Sequence, residues 1–289
     1  MAPLTFSDIE VKDGRFELRF DAALANARET WLEVAVRDAG GASFSTIPGR
    51  SKAIAAPLIG ACWSSAGDTG SNPTTNFLGT TDAQPLVLRT ANVQSLRIEP
   101  SAELYGGSPI TANVIAGSRG NAVQAGVRGA TIAGGGVPLG DSDPTFTNDD
   151  PNFVGDHYGV VGGGFANAAG DYVGTVADRA FATVAGGYAN GAHGYASAVG
   201  GGELNFASGL ASTVAGGGLN TASHQHSMVL GGYFNCAGGV RSFAGGTFAK
   251  VRVGALSDYA GFGCSTAAAS GDDNGDEGSF VWADAEWAD

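Results

Sequence analysis

From Phe181 onward the chain copies itself at a short interval. Phe181-Ala-Thr-Val184-Ala-Gly-Gly187-Tyr-Ala-Asn190-Gly-Ala192 is followed by Ala198-Val199-Gly-Gly-Gly202-Glu-Leu-Asn205-Phe-Ala207 and by Thr213-Val214-Ala-Gly-Gly217-Gly-Leu-Asn220-Thr-Ala222. A fourth copy is Met228-Val229-Leu-Gly-Gly232-Tyr-Phe-Asn235-Cys-Ala237, and a degraded fifth is Phe243-Ala-Gly-Gly246-Thr-Phe-Ala249. The apolar anchor reads Val184, Val199, Val214, Val229 and Phe243, a spacing of fifteen residues three times and then fourteen. Looser copies precede these: Val161-Gly-Gly-Gly-Phe-Ala-Asn167-Ala-Ala169, Ile132-Ala-Gly-Gly and Ile115-Ala-Gly-Ser-Arg-Gly-Asn121, with insertions at about 138–156 and 171–178. A unit this short cannot hold a helical hairpin or a propeller blade. It suits one turn of a β-solenoid, made of two short strands and two tight bends.

Period-two counting puts Ser212, Val214 and Gly216 on one strand face, and Ala211, Thr213 and Ala215 on the other. The glycine pair after each valine marks a bend, where positive φ and close backbone approach exclude a side chain. An asparagine column, Asn167, Asn190, Asn205, Asn220 and Asn235, has an alanine two residues on in every copy. Stacked asparagines can form an amide ladder between coils, and they also tolerate the left-handed conformation of a turn. Both readings make the column structural, as the valine column is.

The 48 glycines among 289 residues explain why so long a chain needs regular pairing or partner chains, since glycine adds nothing to a core and loses the most entropy on folding. Between Phe181 and Ala249 the only charged residues are Glu203 and Arg241, so one roll would leave a long, nearly neutral surface bare. Packing identical rolls around an axis covers that surface and closes the assembly, and a homotrimer is expected. The net charge of −13 repels phosphate backbones, which argues against nucleic acid as a partner. No stretch approaches the roughly twenty apolar residues of a membrane span, so no membrane insertion is expected. The first residues have neither a charged n-region nor an apolar h-region, which leaves a fragment of a secreted protein or a chain exported or assembled without a signal peptide.

The recurring S-x-V-x-G-G-x-x-N-x-A-x-G pattern, at Ser197 to Gly209 and again from Ser212, resembles the YadA-like head of trimeric autotransporter adhesins. The resemblance covers roughly residues 113–250. It implies a left-handed parallel β-roll that trimerises and binds host-surface or matrix proteins or glycans, at a bacterial surface or outside the cell. Asn76 to Asp82 with Leu96 to Pro100, and the closing Gly278 to Asp284, are similar to segments flanking such rolls in bacterial surface and phage-fibre-like proteins. The alternative within that resemblance is a trimeric phage-tail or contractile-injection fibre.

The expected fold is therefore all-β. Residues 1–57 form a small antiparallel β module, with Phe16, Leu18 and Phe20 alternating after Asp13-Gly14 and then Trp31 to Arg37. Residues 58–112 connect it to the roll at 113–250. Residues 251–289 are an acidic, aromatic cap in which Trp282 and Trp287 fold over the last coil. Cys62, Cys236 and Cys264, odd in number and without close spacing, read as buried small hydrophobes and signal neither a disulfide framework nor a zinc site.

No enzyme is expected, and no catalytic residue is assigned. A glycan-cleaving tailspike needs paired carboxylates roughly 5 to 9 Å apart on the solenoid face, and the core copies supply only Glu203. No cofactor is expected either, apart from calcium at Asp272, Asn274 and Asp276, whose D-x-N-x-D spacing sends alternate oxygens to one hard cation. That loop reads first as a solvated acidic turn, as does the one carrying Asp141, Asp143, Asp149 and Asp150, with calcium as the alternative. His224-Gln-His226 reads as surface turn residues or, repeated about a threefold axis, as a metal or anion site; His157 and His193 get no role.

Overall fold

The computed structural model describes residues 77–140, 150–255 and 261–284, together with Asn72, Thr74 and four two-residue strands nearer the N-terminus. The chain divides into two compact units, Met1–Leu78 and Gly79–Asp289. In the first, Trp31–Leu32 pairs antiparallel with Ser51–Lys52, and Ala35–Val36 with Ser45–Thr46. The Phe16, Leu18 and Phe20 alternation lies outside the described residues, as do Cys62 and Trp287.

The second unit is all-β among the described residues, apart from one 3₁₀ turn at Phe262–Cys264. Its two long sheets have the form of a β-solenoid. The larger, here the valine sheet, has eleven strands. It opens with an antiparallel meander, Leu86–Thr90, Val93–Pro100 and Ala112–Ala116. From there one parallel strand is added per coil, at Thr131–Ile132, Val160–Val161, Thr183–Val184, Ala198–Val199, Thr213–Val214, Met228–Tyr233 and Phe243–Thr247. The smaller, the alanine sheet, has eight parallel strands, each contributed by the second half of a coil, from Ala122–Val123 to Lys250–Val251.

The period-two reading describes the interior. Val161, Val184, Val199, Val214 and Val229 point inward with at most 1% exposure, and Ala169, Ala192, Ala207, Ala222 and Ala237 face them from the alanine sheet, fully buried. Valine opposite alanine fills a thin two-sheet core over these coils, and Ile115, Ile132 and Val154 continue the two columns toward the N-terminal end. Phe243 does not stand in the valine column. The partner of Val229 is Ala244, fully buried, while Phe243 pairs with Met228 on the outer side. The anchor spacing therefore stays at fifteen, and the missing residue is taken out of the following bend, where Gly232 pairs with Gly246 after a register shift. The bend absorbs the deletion because a shift within the strand would turn every side chain to the opposite face.

Two bends close each coil, and from Tyr158 onward each contains a non-glycine residue in the left-handed region. One column is Ala166, Ala189, Leu204, Leu219 and Phe234; the other is Tyr158, Phe181, Ala196, Ala211 and His226. The left-handed residue thus precedes the asparagine and is not the asparagine itself. Its N–H turns back to the previous coil, as Leu204 donates to the Tyr188 carbonyl (2.9 Å) and Leu219 to Glu203 (2.9 Å). The strand amides donate the other way, Thr183 to Ser197 (2.9 Å) and Ala198 to Ser212 (3.0 Å). The residue in the unfavoured region is what reverses the hydrogen-bonding direction and stitches each coil to both neighbours.

Residues 152–156, read from the sequence as part of an insertion, form a full rung. Phe153–Val154 pairs with both Ala122–Val123 and Ala168–Ala169. The C-terminal segment extends the valine sheet as a further parallel strand, Phe280–Asp284, against Phe243–Thr247. Trp282 lies on the outer face at 62% exposure, so it does not fold over the coil as expected. Strand alternation fixes this: Val281 and Ala283 take the inward positions.

Candidate functional site

The asparagine column is the most fully organised set of polar side chains in the roll. Asn205 Nδ2 donates to Gly201 O (2.9 Å) in its own coil, to Gly217 O (2.8 Å) in the next and to Asn190 Oδ1 (3.2 Å) in the previous one. Asn205 Oδ1 accepts from the Asn220 backbone N–H (3.1 Å) and from Asn220 Nδ2 (3.1 Å). Asn167, Asn190, Asn220 and Asn235 repeat the scheme. Both donor hydrogens and the carbonyl oxygen are spent inside the protein, so the column is a spine without a valence left for a ligand. Sequence reading missed two members: Asn152 donates its backbone N–H to Asn121 Oδ1 (2.9 Å), and Asn167 donates to Asn152 Oδ1 (2.9 Å). The signal was present in the Asn121 copy, but the 141–149 stretch hid the return of the register.

The valine sheet presents its other face outward. Val160, Thr183, Ala198, Thr213 and Met228 form its central column, half-buried, and Leu230 stands beside them at 48% exposure. None of these carries a charge. The opposite, outward face of the alanine sheet is covered over its last rungs, from Phe206 to Lys250, by the chain's own C-terminal segment. Phe262–Cys264 lies across it, with the Gly263 N–H donating to Thr221 Oγ1 (3.1 Å), Phe262 tilted against Phe206 (5.9 Å between centroids) and Lys250 Nζ donating to the Gly263 carbonyl. A Cβ at Gly261 would sit 2.7 Å from Thr221 Oγ1, so a glycine is what lets the backbone approach this closely.

Cys236 and Cys264 are joined by a disulfide, with Cα atoms 4.8 Å apart, which corrects the reading of both as unlinked hydrophobes. They are 28 residues apart in sequence, and only the return of the C-terminal segment over the sheet makes them neighbours. The same segment covers His224, which is 3% exposed and not the surface residue its turn position implied. Its Nε2 meets the Asp273 carbonyl at 3.0 Å, and its Nδ1 accepts the Gln225 N–H (2.9 Å). His226, two residues on, is exposed and left-handed, so the two histidines do not share a site.

Of the residues expected around calcium, Asp272 and Asp276 also accept hydrogen bonds within the protein. Asp272 Oδ1 accepts the N–H groups of Asn274 (3.1 Å) and Gly275 (2.8 Å) to close its own turn. Both oxygens of Asp276 are held by Arg252, at 2.8 and 2.7 Å. This guanidinium pulls the Asp276 carboxyl below its ordinary value, and the hydrogen-bonded Asp276 carboxylate raises Arg252 in turn. Asn274 binds through its backbone carbonyl, which accepts the Val240 N–H (2.8 Å).

Another carboxylate cluster was not foreseen. Asp156, Asp171 and Asp178 bring one oxygen each within 4.8 Å of one another. Asp156 is 1% exposed, and burial raises its pKa against the opposing pull of the backbone N–H groups of Asp171 (3.0 Å) and Arg179 (3.2 Å). Arg179 also approaches Asp171 at 3.4 Å. These contacts make Asp156 a clamp that closes the 171–178 excursion onto the roll. A carboxyl so enclosed, with both oxygens accepting from the backbone, has no route to a glycosidic oxygen.

No protein-family model, curated protein or solved structure matches this chain.

Proposed function

We propose that this chain is a non-enzymatic structural and adhesive β-roll, wound left-handed in the manner of the YadA-like heads and assembled as a homotrimer at or beyond a bacterial surface. The supporting observation is the asymmetry of its two faces. The last rungs of the alanine sheet are covered by the chain's own C-terminal segment, whereas the valine sheet turns outward an uncharged column of small and apolar residues along the roll. Such a surface is rarely left to solvent, and identical copies around an axis would bury it with closed symmetry. The exposed bends and ends then carry the contacts to a host protein or glycan.

The Cys236–Cys264 bond favours an oxidising compartment, and so an exported surface protein over a fibre assembled inside a cell. Light scattering coupled to size exclusion on the purified chain tests the assembly. A mass of three chains is expected, and a mass of one or two removes the trimer. The face itself is tested by Thr213→Arg, which should release single chains that keep their β circular dichroism.

A further inference from the structure

We infer that Cys236–Cys264 is a latch formed after winding, which closes residues 261–267 over the outer face of the alanine sheet and is not part of what holds the roll together. The two cysteines belong to different layers. Cys236 sits in the sheet, in register with Thr221 on one side and Lys250 on the other, and its backbone is paired without help from the disulfide. Cys264 sits in the covering flap.

The flap itself is lightly held. The amides of Cys264, Ser265 and Ala267 donate to Gly261, Phe262 and Cys264, all within the flap. Among the described residues, the flap is joined to the roll, besides the disulfide, by the bonds given above to Thr221 and from Lys250 and by the ring contact of Phe262 with Phe206. Phe262 remains 47% exposed, so its burial adds little. The segment beyond is anchored differently: Asp272 and Asn274 accept the Ala255 and Val240 N–H groups, and Gly278 donates to Val240. Opening would therefore stop at the flap and uncover Thr221 and Cys236, both fully buried as the chain stands.

The roll interior needs nothing from this bond, because the asparagine spine and the valine and alanine columns continue unchanged through the coils that precede the one carrying Cys236. A covered Cys236 is also shielded from reductant, so the latch once closed stays closed. Closure oxidises two thiols to one disulfide. A small-molecule disulfide such as oxidised glutathione takes the two electrons and two protons and leaves as two thiols.

The test uses the full chain with Cys62→Ser to remove the third thiol. Hydrogen exchange is followed in the reduced chain, in the chain closed with oxidised glutathione, and with Cys264→Ser added. Expected are amides of Gly263, Cys264, Ser265 and Ala267 exchanging at least about ten-fold faster in the reduced and Cys264→Ser chains than in the closed one, with Ala185, Gly200 and Ala215 equally protected in all three. In the Cys264→Ser chain, iodoacetamide should alkylate Cys236 within about ten-fold of the rate in the urea-unfolded chain. Flap amides equally slow in all three chains, or slower alkylation, would mean that the flap holds without the bond. Loss of protection at Ala185, Gly200 and Ala215 on reduction would mean that the bond supports the roll itself. Either result overturns the inference.

Discussion

Replacing Asn205 by alanine removes one rung from the middle of the spine, and the consequences can be worked out bond by bond. The Asn220 backbone N–H loses Asn205 Oδ1, its acceptor at 3.1 Å, and is left buried. The Gly201 carbonyl loses its donor at 2.9 Å but lies where water can partly replace it. Gly217 O keeps the Glu203 N–H (3.0 Å), and Asn190 Oδ1 keeps the Asn205 backbone N–H (3.0 Å). A fully orphaned donor costs about 1 to 3 kcal/mol and a partly solvated acceptor less, so with the lost packing of the amide the total is about 3 kcal/mol. In a solenoid each coil touches only its neighbours, and the loss should appear locally before it appears globally. Hydrogen exchange resolves this. The amides of Phe206 and Thr221 should open roughly a hundred-fold more often, at about 1.4 kcal/mol per factor of ten, while those near Asn121 barely change. Asn205→Asp should be worse than alanine, since a carboxylate oxygen would replace Nδ2 against three oxygen acceptors. An alanine effect below about three-fold, or an aspartate better tolerated than alanine, would refute the account of the column as a saturated spine.

Gly217→Ala should prevent the coil from closing, because φ is +89° there and a Cβ would overlap the Gly232 carbonyl oxygen; Ala215→Gly, on the exposed outer face, should cost about 1 kcal/mol or less, as chemical denaturation can compare. Lys250 is held down to about 8 by burial, against an ordinary 10.5. The unfolded chain therefore binds more protons between these values, and this residue's contribution makes stability rise as pH climbs from about 8 to about 10.5. Lys250→Met should lose that rise when urea midpoints are compared across the interval, and an identical pH slope in both proteins would count against the burial of the amine.

The repeat alone determined much of this molecule. A valine, a glycine pair, an asparagine and an alanine recurring at fifteen residues leave few ways to fold, because the strand period of two sends valine and alanine inward and the glycines must bend. The columns at Val161 to Val229 and Asn167 to Asn235 were legible for that reason. Tertiary structure decided the rest wherever a local rule had two solutions or none. Side-chain size nominated Phe243 as the anchor, but strand register chose Ala244 and moved the deletion into the bend. Propensity pointed to asparagine for the left-handed positions, yet alanine, leucine and phenylalanine occupy them, held there by hydrogen bonds to the previous coil. The Cys236–Cys264 bond, the burial of His224 and the Asp156 clamp depend on where excursions of the chain come back to the roll. A repeat specifies its own stacking because each unit meets a copy of itself, whereas a segment without a copy finds its partner only once the stack exists to receive it.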